Sequence, residues 1–152
     1  NIRVAVQAKT PYRFSLLATT DDLEAINREA ERILDQVGLR PLRDQIAVNI
    51  SHGDQRLLEI ARALAAEPRL LLLDEPAAGL NAVETRELAT LLLRIKAEGV
   101  TQLLVEHDMS LTMEISDRIA VLDQGRLIAE GRPREIQSDP AVISAYLGVQ
   151  TA

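Results

Sequence analysis

Leu70-Leu71-Leu72-Leu73-Asp74-Glu75 carries the decisive reading of this chain. Four consecutive leucines read as a fully buried strand, and two adjacent carboxylates end it. Unpaired charge is expensive to bury, so acids that close an apolar strand are seldom there for packing. The plain alternative is that they cap the loop that follows. Paired acids at a strand end are also what a phosphoryl-transfer site uses to hold a magnesium ion and to orient an attacking water. The pair stands downstream of Ile50-Ser51-His52-Gly53-Asp54-Gln55, with Asp74 23 residues after Ser51.

Outward from that strand, helix and strand patterns alternate. Gln55 to Ala66 reads as a helix closed by Pro68, and Asn81 can cap a longer helix that runs to about Glu98, with Gly99 as its exit. Thr101 to Val105 reads as a strand, Ser110 to Ser116 as a short helix and Arg118 to Leu122 as another strand. Gln124-Gly125 should turn that strand into a hairpin with Arg126 to Glu130, and Ser138-Asp139-Pro140 should open a terminal helix. Upstream, Asp21 to Val37 places Leu23, Ile26, Ala30, Ile33, Leu34 and Val37 at helical spacing, with Asp21 and Glu24 as a capping box and Gly38 as the stop. The pattern is that of an α/β protein preceded by a helical lobe.

Composition narrows the function classes. The 152 residues are 47% hydrophobic, enough for one full core or for two small lobes sharing one, and aromatics at 2% leave the packing to Leu, Ile, Val and Ala. A net charge of −6 with no basic stripe argues against a nucleic-acid surface. Cysteine is absent, which excludes disulfides and thiolate metal sites and fits a reducing compartment without demanding one. No apolar run approaches the roughly 20 residues that span a bilayer, and the N-terminus shows no signal-peptide pattern. Any membrane connection is expected through a partner.

In their order and spacing these motifs resemble the ATPase subunits of ABC transporters. Ile50-Ser51-His52-Gly53-Asp54 is similar to the family's LSGGQ signature, and Ile60-Ala61-Arg62-Ala63-Leu64 continues its helix toward the Walker B run Leu70 to Pro76. Ala77-Ala78-Gly79-Leu80-Asn81 occupies the D-loop and Val105-Glu106-His107-Asp108 the switch-histidine strand end. The resemblance covers essentially the whole chain. The His52-Gly53-Asp54-Gln55 variant, Asn81, Glu130-Gly131-Arg132-Pro133 and Ala145-Tyr146-Leu147-Gly148 look most like the branched-chain amino acid and urea or amide importers. The resemblance implies an α/β, partial P-loop NTPase fold. Residues 1–66 would form a helical and signature lobe, and residues 67–152 the C-terminal part of a RecA-like catalytic lobe.

The resemblance also implies roles. Ile50, Ser51, His52, Gly53, Asp54, Gln55 and Asn81 would contact the ATP held by an opposite subunit, so the site requires a dimer. A helix N-terminus, with roughly half a positive charge, suits a phosphate there; alone, the turn would read as a helix cap at Ser51. Asp54 stands where the family has Gln and adds negative charge near a polyphosphate, so it is expected to point away. Asp74 would be the carboxylate on the Mg²⁺ side, acting through a water. Glu75 would be the general base, and His107 would hydrogen-bond the γ-phosphate and Glu75. His52 reads as a loop or interface contact, and a zinc site is not expected.

A phosphate-binding loop of the form G-x-x-x-x-G-K-S/T is missing, since the lysines Lys9 and Lys96 follow Ala8 and Ile95. Asn1-Ile2-Arg3-Val4 resembles the stretch just after the family's Q-loop. The chain is therefore expected to be the C-terminal part of an importer's ATP-binding subunit, using ATP and Mg²⁺ in its full-length form and inactive alone. The expected partners are a second ATPase subunit, head to tail, and a membrane permease docked on Asn1 to Val48 at the inner face of the cell membrane. Other readings are a non-catalytic interaction module and an ABC-type ATPase of DNA or ribosome function. In the resembling fold the P-loop strand lies between Thr101–Val105 and Arg118–Leu122. Without it those strands should either pair directly or take an element from a second copy, giving a strand-exchanged homo-oligomer.

Overall fold

Polar caps and apolar stripes set the helices. In the computed structural model, which describes residues 1–9 and 19–146, α1 spans Ile2–Ala8 and α2 spans Thr20–Gln36. The α2 cap is Thr19 instead of Asp21. Its hydroxyl accepts the Asp22 N–H at 3.2 Å, while the Asp22 carboxylate accepts the Thr19 N–H at 2.9 Å. The capping box expected at Asp21 and Glu24 thus forms at Thr19 and Asp22, because an extended Thr19 puts its hydroxyl over the first turn and leaves Asp21 inside it. Gly38 ends α2 at a φ of 78°, as a left-handed exit requires.

Two 3₁₀ turns, Arg40–Leu42 and Ala47–Asn49, lead to α3, His52–Leu64. This helix begins earlier than the expected Gln55 because Ser51 caps it. Strand β1 is Leu70–Asp74 and α4 is Ala82–Ala97, capped by Asn81, whose side chain accepts the Val83 and Glu84 N–H groups. Strand β2 is Thr101–Val105, and α5, Met109–Ile115, is capped by Asp108. Strands β3, Ile119–Asp123, and β4, Arg126–Gly131, form the expected hairpin. Gln124 at φ 47° and Gly125 at φ 77° fit the doubly left-handed two-residue turn. Two short helices follow, α6 at Pro133–Gln137 and α7 at Pro140–Tyr146. The sequence pattern did not mark α1 or α6.

Among the described residues the strands make two two-stranded sheets, β1–β2 parallel and β3–β4 antiparallel. The parallel register pairs Leu70 with Thr101 and Asp74 with Val105. One core gathers Ile2 and Val6 of α1, Ile26 and Ile33 of α2, Ile60 and Leu64 of α3, and Leu88, Leu92 and Ile95 of α4, with Leu73 of β1 against it. A second gathers Ile119 and Val121 of β3 with Ile136 and Val142.

The leucine strand is not fully buried. Leu71 is buried and Leu73 half-buried, whereas Leu72 is 66% exposed, as is Leu103 opposite it at 58%. Helices cover one face of this sheet only, so exposure follows the two-residue period of the strand. Direct pairing of β2 with β3 does not occur. The two strands line a groove of about 820 Å³, with Leu103, Val105, Ile119, Val121 and Tyr146 on its walls. No described helix is long and apolar enough to cross a membrane.

Burial sorts the effects of truncation. Ile95→Ala should cost about 2–5 kcal/mol and Leu72→Ala within about 0.5 kcal/mol, measured by urea denaturation. Equal costs would mean that the open face is covered in solution. Hydrogen bonds from Thr19 hold the Asp22 carboxyl below its ordinary range, and the Arg32 hydrogen bond does the same for Glu29. A carboxyl lowered in the folded state stabilises it above the ordinary carboxylate range, and that contribution is lost as pH falls through the lowered value. Thr19→Ala should therefore destabilise more near neutral pH than in strong acid, as paired unfolding curves would reveal.

Candidate functional site

Parallel pairing brings Asp74, Glu75 and His107 to one end of the β1–β2 sheet. The ladder continues one residue past the strand, with the Glu75 N–H donating to the Val105 carbonyl at 2.8 Å. Glu75 then turns left-handed, at φ 45°, a conformation costing of order 1–3 kcal/mol in a non-glycine residue. Its own carbonyl accepts the Ala78 N–H at 3.0 Å, so the turn is pinned on both sides. The exposed Glu75 carboxylate reaches across the strand ends to His107, with Oε1 3.6 Å from Nδ1. That distance permits an ion pair when the imidazole is protonated.

Asp74 ends β1 exposed, and its carboxylate takes no hydrogen bond or ion pair among the described residues. No described group of three or more His, Cys, Asp or Glu gathers into a metal cage. A lone free carboxylate fits Mg²⁺, which keeps several waters and takes phosphate oxygens as ligands, and does not fit a four-ligand zinc centre. Neither lysine serves a phosphate loop here. Lys9 is 2.6 Å from Glu67, and Lys96 is 2.6 Å from Asp117.

The signature turn gathers elsewhere, against the loop before α4. A Cβ on Gly79 would lie 3.2 Å from the His52 Nε2, and one on Gly53 would lie 2.9 Å from the Glu84 Oε1. Glu84 also accepts the Asn81 N–H at 2.8 Å. Gln55 donates from Nε2 to the Ile50 carbonyl at 3.2 Å, closing the turn. Ile50 through Gln55 and Asn81 are thus neighbours. No hydrogen bond or ion pair links Ser51 or Asp54 to Asp74, Glu75 or His107 among the described residues.

Asp54 turns back onto the helix cap. Its carboxylate accepts the Ser51 hydroxyl at 2.7 Å, and the Ser51 hydroxyl accepts the Asp54 N–H at 3.1 Å. A carboxylate one turn into a helix is drawn to the unpaired N–H groups and positive end of that helix, and this attraction outweighs the absence of a cation partner. Ser51 consequently works as a helix cap in this structure.

Sequence reasoning passed over Glu106. Its side chain is only 1% exposed, and it accepts backbone N–H groups from both loops of the site. The available signal was an acid directly before the strand-end histidine.

Gly79 has φ 79° and His52 against it, whereas Gly38 has φ 78° and open space. Alanine at Gly38 should therefore cost about 1–2 kcal/mol from backbone strain alone. Gly79→Ala should cost more, and the excess should shrink in a His52→Ala background, read as coupling in a double-mutant cycle.

Comparison with known proteins agrees with this arrangement. A family model described as ABC transporter matches residues 1–78, and one described as branched-chain amino acid ATP-binding cassette transporter matches residues 126–152. The tail motif's Leu147 and Gly148 fall in that second match but lie outside the described residues. The chain is 49% identical over 126 residues to the high-affinity branched-chain amino acid transport ATP-binding protein LivG of Escherichia coli strain K12, covering 82% of this chain and 49% of that protein. It is 36% identical over 136 residues to the Escherichia coli K12 lipopolysaccharide export system ATP-binding protein LptB, covering 88% of this chain and 56% of that one. A solved ATP-binding cassette of an ABC transporter superposes with a TM-score of 0.78 at 29% identity, covering 96% of this chain and 61% of that chain. The chain spans about half the length of the curated relatives it matches. With paired acids on a parallel strand, a histidine at the next strand end and a capped signature helix, the chain belongs to the ABC transporter family.

Proposed function

We propose that this chain is the C-terminal part of the ATP-binding subunit of an importer for branched-chain amino acids or related small solutes. The observation that carries the reading is the Glu75–His107 approach of 3.6 Å at the shared end of two parallel strands. Ligands of open α/β sheets bind at the carboxyl ends of the strands. The similarity to LivG and the tail match at residues 126–152 support the solute class.

In this reading residues 1–66 form a helical and signature lobe and residues 67–152 the C-terminal part of the catalytic lobe. Glu75 accepts the proton of the attacking water as its oxygen bonds to the γ-phosphorus of ATP and the bond to the departing ADP breaks. His107 hydrogen-bonds the γ-phosphate and links it to Glu75. Mg²⁺, when bound, would neutralise charge at the phosphates, and Asp74 is the residue of this chain that would hold it. Ile50 to Gln55 and Asn81 face the nucleotide of a second subunit, a reading supported by the lack, among the described residues, of any hydrogen bond from Ser51 or Asp54 to Asp74, Glu75 or His107. The Ser51–Asp54 pair must open or accept a rearranged hydrogen bond when a phosphate arrives, since both offer oxygen lone pairs at the helix end. A permease docks on the helical lobe, which places the subunit at the inner face of the cell membrane. A second copy can exchange an element into the groove between β2 and β3.

Residues 1–152 alone should show no ATPase activity above background, since no lysine or glycine-rich loop here cradles the phosphates; turnover by the purified chain would overturn this. In a full-length subunit, Glu75→Gln should lower turnover by about 10² to 10⁴ while ATP binding survives, as steady-state hydrolysis and nucleotide titration would register. Near-normal turnover would remove Glu75 from its role.

A further inference from the structure

We propose that Glu106 is a positioning residue whose carboxylate sets the separation of Glu75 and His107. Its Oε1 accepts the Ala77 N–H at 2.9 Å, from the loop that follows Glu75. Its Oε2 accepts the His107 N–H at 3.1 Å, with a longer contact of 3.4 Å from the Asp108 N–H. Each oxygen thus serves one wall of the site. Asp108 also caps α5, accepting the Ser110 and Leu111 N–H groups at 2.9 and 3.1 Å, so the clamp is anchored into a helix on the His107 side.

The chemistry suits an ionised carboxylate. Only an ionised carboxylate, or a carboxylic acid turned the right way, accepts on both oxygens from fixed N–H donors. Hydrogen bonds of this kind are charge-assisted and roughly twice as strong as neutral ones. At 1% exposure the side chain itself is almost wholly withdrawn from water. The left-handed Glu75 leaves its strand at a sharp angle, and the strand ladder ends at its N–H. Beyond that point Glu106 is what fastens the following loop to the His107 strand end. His107 Nδ1 lies 3.9 Å from Oε2 and 3.6 Å from Glu75, so a loop shift of one ångström would change which carboxylate the ring faces.

This inference rests on the proposed roles of Glu75 and His107 in hydrolysis. The variants follow from the two-sided geometry. Glu106→Gln keeps the shape and one acceptor oxygen but sets an NH₂ against an N–H donor, while Glu106→Ala removes both sides. In a full-length subunit, kcat should fall by about 10²-fold in Glu106→Ala, the scale of a misplacement of about 1 Å, with Glu106→Gln falling between it and the parent and KM changing far less. Amide exchange in the same proteins should speed up at Ala77 and His107 while β1 and β2 stay protected. Glu75→Gln is measured alongside. If it keeps turnover, the roles of Glu75 and His107 fall and the proposal falls with them. If it is inactive while Glu106→Ala turns over at the parental rate, only the clamp is overturned. A loss of kcat accompanied by general loss of protection in Glu106→Ala is decided by Glu106→Gln. Normal kcat in a folded Glu106→Gln with unchanged Ala77 and His107 exchange overturns the clamp, and a reduced kcat with faster exchange at either amide upholds it.

Discussion

The parallel pairing of β1 with β2 is the constraint on which the rest of the site depends. Hydrogen bonds fix Asp74 opposite Val105, and the Glu75 N–H carries the ladder one step further to the same Val105 carbonyl. A strand register that slipped by one residue would send every side chain to the other face, so Glu75 and His107 would no longer meet. The register is held from one side only. Leu71, Leu73, Gln102 and Leu104 turn toward the helices, and Gln102 donates to the Leu92 carbonyl of α4 at 2.8 Å.

From that pairing two separate surfaces arise. At the strand ends lie a strained Glu75, an Asp74 whose carboxylate takes no partner among the described residues, and an exposed His107. On the other surface, the N-terminus of α3 sits against the loop before α4, where Gly79 and Gly53 leave room for His52 and Glu84. Side chains at those glycines would crowd the contact. The Ser51–Asp54 pair neutralises part of the helix-end charge until something displaces it. Among the described residues no hydrogen bond joins Ser51 or Asp54 of this turn to Asp74, Glu75 or His107, so the two surfaces stand apart.

Much of the fold was legible because the signals were local. Asn81 and Glu84, Gln124-Gly125 and Gly99 each act through the few residues around them, and the strand at Thr101 to Val105 begins and ends where its pattern says. Where the reading failed, a competing local partner or the surroundings decided. Thr19 outbid Asp21 for the α2 cap because its hydroxyl lay one step outside the first turn. The leucine run was expected to be buried on both faces because composition reports hydrophobicity and says nothing of how many layers cover a sheet.

By itself the sequence determined the element order, the identity of the acids at the strand end, the signature turn and the family to which they point. Those follow from residue types at fixed short spacings, which no later packing can alter. Tertiary structure alone decided the rest: which face of β1 is open, that β2 and β3 stay apart across a groove, that Glu75 stands 3.6 Å from His107, and that Glu106 lies beneath both loops. Each of these is a relation between residues far apart in the chain, such as Ala77 and Glu106, 29 positions apart. Such distances are set by the hydrogen-bonded register and by the helices packed on one face of the sheet, and no local spacing encodes them.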